Sequence, residues 1–149
     1  MSSLTFVPAF ELARLIRCRE VSVVEVINAY LTKIAKHNSQ LNAICTLDEE
    51  NARFRAKLAD EALSQGENWG VLHGVPITIK DIFETEGLLT TAGYIPLKDY
   101  VPQQDATVVA RLRGAGAIIL GKTNMAELAG DYQSTNSLAW QNLLEKTTF

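Results

Sequence analysis

The stretch Leu72–Asp81 contains the residue most suggestive of catalysis, Lys80. This lysine follows a run of alternating apolar and polar residues. This alternation after Pro76 predicts a short strand, with Ile79 on one face and Lys80 on the other. Asp81 then returns to the opposite face. Lys80 is therefore either a strand-end lysine whose amine reaches water or a general base, which requires surroundings that keep part of its amine neutral.

A second pattern matches a phosphate-binding loop. The segment Gly116–Thr123 satisfies G-x-x-x-x-G-K-[ST]. In a true phosphate loop the apolar strand precedes the first glycine, whereas here residues 117–120 are themselves the apolar run. The sequence therefore predicts a buried strand at 117–120 and argues against nucleotide binding.

No other local motif assembles a complete active site. His73 precedes a glycine and has no acid or second histidine nearby in sequence, so a structural hydrogen-bonding role is expected for it. Ser134 and Ser137 lack the G-x-S-x-G context of a nucleophile elbow. There is no H-E-x-x-H or paired-cysteine spacing, and we expect neither a metal nor a cofactor.

Composition sets the broad class. The chain has 149 residues, 47% apolar and 21% charged, with a net charge of -3, which is ordinary globular composition without a basic footprint for nucleic acid. Its two cysteines, Cys18 and Cys45, have no ligand spacing and are expected to be buried free thiols in a reducing compartment. No apolar run approaches membrane-spanning length, so we expect a soluble, cytoplasmic protein that binds neither nucleic acid nor membrane.

Helical and extended patterns alternate along the chain, which predicts a layered α/β architecture. The strongest local signal is a capping box, Ser22 with Glu25, that opens the second helix. Asp48 is expected to cap the third helix and Asp105 the fourth. The predicted helices cover about 8–17, 22–38, 49–63, 106–113 and 125–129, and the predicted strands 43–46, 77–80 and 117–120.

Five segments in this order closely resemble the amidase signature family, from about Leu4 to Ser137. They are Leu72–Asp81, Thr90–Gly93, Asp105–Thr107, Gly114–Ala117 and Gly121–Met125. The resemblance implies the N-terminal part of an amidase domain at residues 1–137, on an incomplete α/β fold with a mixed sheet covered by helices.

The resemblance also implies chemistry. Family members hydrolyse amide bonds with a Ser-cisSer-Lys triad, in which the lysine that matches Lys80 acts through a bridging serine to activate the nucleophilic serine. The substrate would be a small-molecule amide. By the same resemblance, substrate contacts are expected at Thr90, Thr91, Gly93, Met125 and Gly130.

The sequence departs from the family after Ser137. Residues 138–149 form a divergent tail in place of the Gly-Ser-rich segment that holds both catalytic serines in the family. We therefore expect a truncated product in which Lys80 is one third of the triad, and in which the isolated chain is catalytically silent. The alternatives are an active amidase and an interaction module that needs a separate C-terminal half. An incomplete sheet would favour self-association, and the tail would cover part of it as a short amphipathic helix.

Two details bear on the branch of the family. Amidotransferase subunits that help to make Gln-tRNA usually carry small, serine-rich residues where this chain has Gly130–Gln133, and commonly a serine where it has Tyr94. The sequence therefore favours a general amidase over that subunit.

Overall fold

A computed structural model gives the structure of the protein and describes residues 4–138. The predicted tail helix therefore lies outside the described residues. None of the described helices is both long enough and apolar enough to cross a membrane. The elements, in chain order, are α1 (Ala9–Arg17), α2 (Val23–Leu41), β1 (Ile44–Leu47), α3 (Glu49–Ser64), β2 (Pro76–Lys80), α4 (Thr107–Gly114) and β3 (Ile118–Thr123), with short 3₁₀ turns at Leu4–Phe6, Ile95–Leu97 and Glu127–Ala129.

The strands form one mixed sheet in the order β1-β3-β2. β1 runs antiparallel to β3, with Thr46 opposite Lys122 and Leu47 opposite Gly121. This arrangement of helices and a mixed sheet confirms the predicted α/β class. The described residues cluster into two compact units, the first made of 4–33, 48–77 and 110–120 and the second of 34–47, 78–109 and 121–138.

The first unit has an apolar core, and the start of α2 shows how its helices are held. The capping box is confirmed: Ser22 Oγ accepts a hydrogen bond from the Glu25 amide at 3.1 Å, and the Glu25 carboxylate accepts one from the Ser22 amide at 2.9 Å. Asp60 of α3 adds a second cap by accepting the Val23 and Val24 amides at 2.7 and 3.0 Å. Local and tertiary acceptors thus satisfy amides that the start of a helix leaves without partners.

His73 is a structural residue of the first unit, as the sequence predicted. Its ring is buried, with Nδ1 accepting the Trp69 amide at 2.9 Å and Nε2 lying 3.1 Å from the Ala59 carbonyl. Because Nδ1 is an acceptor, Nε2 carries the proton and the ring is neutral. Burial lowers the pKa of His73, and the nearby Ala59 carbonyl and Asp60 carboxylate oppose that shift.

This burial predicts a pH-dependent stability. The unfolded chain binds a proton at His73 near pH 6.5, whereas the folded chain binds it only at lower pH, so the free energy of unfolding should fall as the pH drops from about 6.5. Urea unfolding at pH 5 to 8 measures this slope. His73→Gln should reduce the slope; a slope equal to that of the unmodified chain would contradict the assignment.

The second unit differs from the first in the number of polar side chains in its interior; among the described residues the first unit buries His73 alone. The buried polar residues of the second unit are Asp81, Thr85, Thr90, Lys122 and Asn124. Gly121 of β3 pairs with Leu47 of β1, and a β-carbon at this position would overlap the Thr46 carbonyl oxygen. Its φ of +153° also lies in a region that side chains rarely adopt.

Three local predictions need correction. Asp48 precedes α3, but its side chain makes no cap; it accepts a hydrogen bond from the Asn51 side chain at 2.8 Å instead. The predicted helix at 125–129 is only the 3₁₀ turn Glu127–Ala129, because Leu128 has a left-handed φ of 50°. Both cysteines are free as expected, but neither is fully buried: Cys18 is exposed and Cys45 is half-buried.

Candidate functional site

Lys80 ends β2 on the exposed face of the strand. Ile79 is buried and Lys80 is exposed, so the predicted alternation is confirmed. The backbone around Lys80 is fixed on its C-terminal side, where the Phe83 amide donates to the Lys80 carbonyl at 3.0 Å. Within the described residues, Lys80 is a strand-end lysine that is accessible to solvent. Its role as a general base stays a prediction.

Asp81, the next residue, points into the interior and is almost fully buried. Its Oδ2 accepts hydrogen bonds from the Thr91 amide at 3.0 Å and from the Thr91 hydroxyl at 2.6 Å. Its backbone binds both neighbouring segments: the amide donates to the Thr123 carbonyl at 3.1 Å, and the carbonyl accepts from the Ala92 amide at 3.2 Å. Asp81 therefore joins the end of β2 to the loop at 91–92 and to the end of β3.

Lys122 of β3 is the buried lysine of this unit, with a relative exposure of 0%. Its Nζ donates to the Phe83 carbonyl at 2.8 Å and to the Thr90 hydroxyl at 2.7 Å, and it lies 3.5 Å from Asp81 Oδ1. Burial lowers the pKa of Lys122, while the Asp81 carboxylate opposes that shift. Asp81 Oδ1 has no hydrogen-bond partner among the described residues, so its contact with Lys122 is Coulombic.

The loop predicted to contact substrate is tied to these two residues. Thr90 is buried, its hydroxyl donating to the Leu88 carbonyl at 3.0 Å while it accepts from Lys122. The Thr91 hydroxyl donates to Asp81 and accepts the Gly93 amide at 3.1 Å. In this structure both threonine hydroxyls therefore hold the loop, and the predicted substrate role of Thr90, Thr91 and Gly93 is left as a prediction.

The two segments predicted to contact substrate, 90–93 and 125–130, lie next to each other. The Leu128 amide donates to the Ala92 carbonyl at 2.8 Å, which brings the 125–130 segment to the 90–93 loop. Met125 is buried with 1% exposure, whereas Gly130 is exposed. The Asn136 side chain holds the same region by donating to the Met125 carbonyl at 2.6 Å. The structure thus brings the two segments together, with Gly130 more accessible than Met125.

The buried position of Lys122 was not predicted, because the G-K-T pattern around it matches a phosphate loop. β3 extends through Lys122 to Thr123 and pairs with β1, so these residues are extended rather than wrapped around an anion. A signal was present: Lys122 follows the apolar run closely, and a lysine in a strand buried on both faces requires an acidic partner. Asp81 is that partner.

Cys45 lies beside Lys122 and is a neutral thiol. Cys45 Sγ lies 3.5 Å from the Lys122 carbonyl. Burial, together with the Asp81 carboxylate, raises the pKa of Cys45 to about 11, so the residue is a neutral thiol at neutral pH. Within residues 4–138 no group of three or more His, Cys, Asp or Glu side chains could hold a metal ion.

The solved structures define the class. The chain superimposes on fatty acid amide hydrolase with a TM-score of 0.88, at 24% identity over 93% of this chain and 25% of that chain, which establishes the fold. The native peptide amidase of Stenotrophomonas maltophilia gives a TM-score of 0.84, at 29% identity over 92% of this chain and 29% of the other. The fold is that of the amidase signature enzymes.

Sequence comparison gives the family. The family model described as Amidase matches residues 25–142, and the chain belongs to this family. A curated relative from Acidothermus cellulolyticus, a glutamyl-tRNA(Gln) amidotransferase subunit, is 44% identical over 137 residues, which are 92% of this chain and 27% of that protein. The chain thus spans about a quarter of the length of the curated relatives it matches.

Proposed function

We propose that this chain supplies the lysine base of a site that hydrolyses amide bonds. The observation that carries the proposal is Lys80 itself: in a chain of the amidase family, it ends β2 on the exposed face, next to a backbone fixed by Asp81. A lysine in this position can reach a group that approaches from outside the described residues. The 90–93 loop is bonded to Asp81, the residue after Lys80. This placement supports the proposal that substrate binds beside Lys80.

In the proposed reaction, Lys80 takes the proton of the nucleophilic serine through the bridging serine, and the nucleophilic serine attacks the amide carbonyl. A lysine acts as a base only while its amine is neutral, and cover from water favours the neutral form. We propose that the Gly-Ser-rich segment of the family supplies this cover together with both serines. Residues 1–149 taken alone would then be silent, because the nucleophile and the amides that stabilise an oxyanion are proposed to belong to that segment.

The test uses the purified chain and simple aliphatic and aromatic amides, with and without a C-terminal segment from a family member. The chain alone should show no turnover, and the mixture should show turnover that Lys80→Ala lowers by at least about a hundredfold. Lys98→Ala removes an exposed lysine and should leave the rate unchanged. Turnover by the chain alone that depends on Lys80 would overturn the proposed silence, and failure of the two pieces to associate would overturn the proposed pairing.

A second candidate is a subunit of a glutamyl-tRNA(Gln) amidotransferase. The observation that favours it is the identity of 44% to a protein of that name, against 29% to the peptide amidase. Tyr94 and Gly130–Gln133 favour a general amidase instead, and that preference stays a prediction. Comparing glutamine with aliphatic and aromatic amides in the same assay separates the two candidates, since an amidotransferase component should prefer the amide donor of the transfer reaction.

A further inference from the structure

The Lys122 ammonium has three N–H donors and three oxygen neighbours that belong to separate parts of the second unit. Two are hydrogen-bond acceptors, the Phe83 carbonyl at 2.8 Å and the Thr90 hydroxyl at 2.7 Å, and the third is Asp81 Oδ1 at 3.5 Å. Because the ammonium is fully buried, water does not compete for these donors. Lys122 thus fixes the distance between the turn after β2 and the 90–93 loop.

One of these segments is bonded to Lys80 itself and the other to its neighbour Asp81. The Phe83 amide donates to the Lys80 carbonyl at 3.0 Å, so the same residue whose carbonyl binds Lys122 also closes the turn that follows Lys80. On the other side, Asp81 receives the Thr91 amide on its carboxylate and the Ala92 amide on its carbonyl. The backbone at Lys80 is therefore held by bonds that converge on one buried ion pair.

We propose that Lys122 and Asp81 are positioning residues for Lys80: the buried pair holds the end of β2 and the 90–93 loop in the geometry that the base requires. This inference rests on the proposed function of Lys80. Neither residue is proposed to touch substrate, because both are enclosed by the second unit.

Stability alone does not account for a buried ammonium at this point. Apolar residues of similar volume often replace a buried ion pair without loss of stability. What an apolar pair cannot supply is direction, since an ammonium bonds along its N–H vectors to named oxygens and a methyl group does not. Compared with an apolar pair, the two charges therefore determine the geometry of the 90–93 loop rather than the stability of the second unit.

The first test is amide hydrogen exchange on the intact chain. The variant Lys122→Met/Asp81→Asn removes both charges together, which leaves no unpaired buried charge to unfold the chain. Exchange at Phe83 and Ala92 should become at least about tenfold faster, while the Val23 and Val24 amides held by Asp60 keep their rates. The control Lys98→Met should change none of them. Unchanged exchange at Phe83 and Ala92 in the folded double variant would overturn the proposal.

The second test is turnover by the chain with its added C-terminal segment, with kcat normalised to the folded fraction. Loss of the pair should lower the normalised kcat by at least about tenfold and leave KM unchanged, because a misplaced base affects the chemical step, whereas a merely smaller folded fraction would leave the normalised kcat unchanged. An unchanged normalised kcat would overturn the positioning role. If the wild-type mixture has no Lys80-dependent turnover, the proposed function fails, and hydrogen exchange on the chain alone still decides whether the pair holds the backbone at Lys80.

Discussion

Replacing Lys122 with methionine is expected to lower the free energy of unfolding by about 3–5 kcal/mol, the usual cost of breaking a buried ion pair by removing one partner. Methionine fills most of the space of the lysine stem, so the cost arises from charge rather than from a cavity. The Asp81 carboxylate would stay buried without its cation, and the Phe83 carbonyl and Thr90 hydroxyl would each lose a donor. Urea unfolding followed by circular dichroism measures the loss.

A double-mutant cycle isolates the charge effect. Adding Asp81→Asn to Lys122→Met removes the unpaired carboxylate and should recover at least about half of the lost free energy. The amide oxygen of asparagine can still accept the Thr91 amide. If the double variant is as unstable as the sum of the two single variants, the pair does not interact and the interpretation of the cluster is wrong.

Gly121→Ala is expected to cost about 4 kcal/mol, or to prevent folding altogether. Two effects add at this position: the new β-carbon overlaps the Thr46 carbonyl oxygen, and a φ of +153° is strained for any residue with a side chain. The overlap is with backbone of the paired strand β1, so it cannot be relieved by a rotamer change. Since the free energy of unfolding of small domains is about 5–15 kcal/mol, the loss would be a large part of the total.

Two other glycines make matched controls. Gly66 has a φ of +84° with nothing near its would-be β-carbon, so Gly66→Ala measures backbone strain alone, about 1–2 kcal/mol. Gly114 has neither the strain nor a neighbour, and Gly114→Ala at the end of α4 should be neutral or slightly stabilising. Thermal unfolding of the three variants should therefore rank them with Gly121→Ala least stable. Equal midpoints for the variants at 66 and 121 would contradict the close contact of β1 with β3.

The local features of the fold were predictable where the deciding interaction lies within a few residues. The capping box of Ser22 and Glu25 sets the start of α2 through bonds three residues apart, and the alternation after Pro76 sets the two faces of β2. The apolar run at 117–120 likewise predicted β3, although the strand continues to Thr123. In each case neighbouring side chains carry enough information to fix the backbone.

The candidate site was less predictable because its contacts join distant parts of the chain. The buried position of Lys122 depends on Asp81 and Thr90, which are 41 and 32 residues away, and no local spacing reveals them. The same holds for Thr90 and Thr91, whose hydroxyls bind the interior instead of facing outward. The left-handed backbone of Leu128 also has no local sequence signal, since leucine rarely adopts it.

The opposite exposure of Lys80 and Asp81 restricts which insertions and deletions β2 can tolerate. Lys80, the last residue of β2, is exposed, and Asp81, the first residue of the turn that follows, is buried. Insertion or deletion of a single codon within Pro76–Lys80 would exchange the two, placing the lysine in the interior and the carboxylate in water. We expect the length of this strand to be invariant among folded variants, whereas the open turn at Gly66 can gain or lose residues freely.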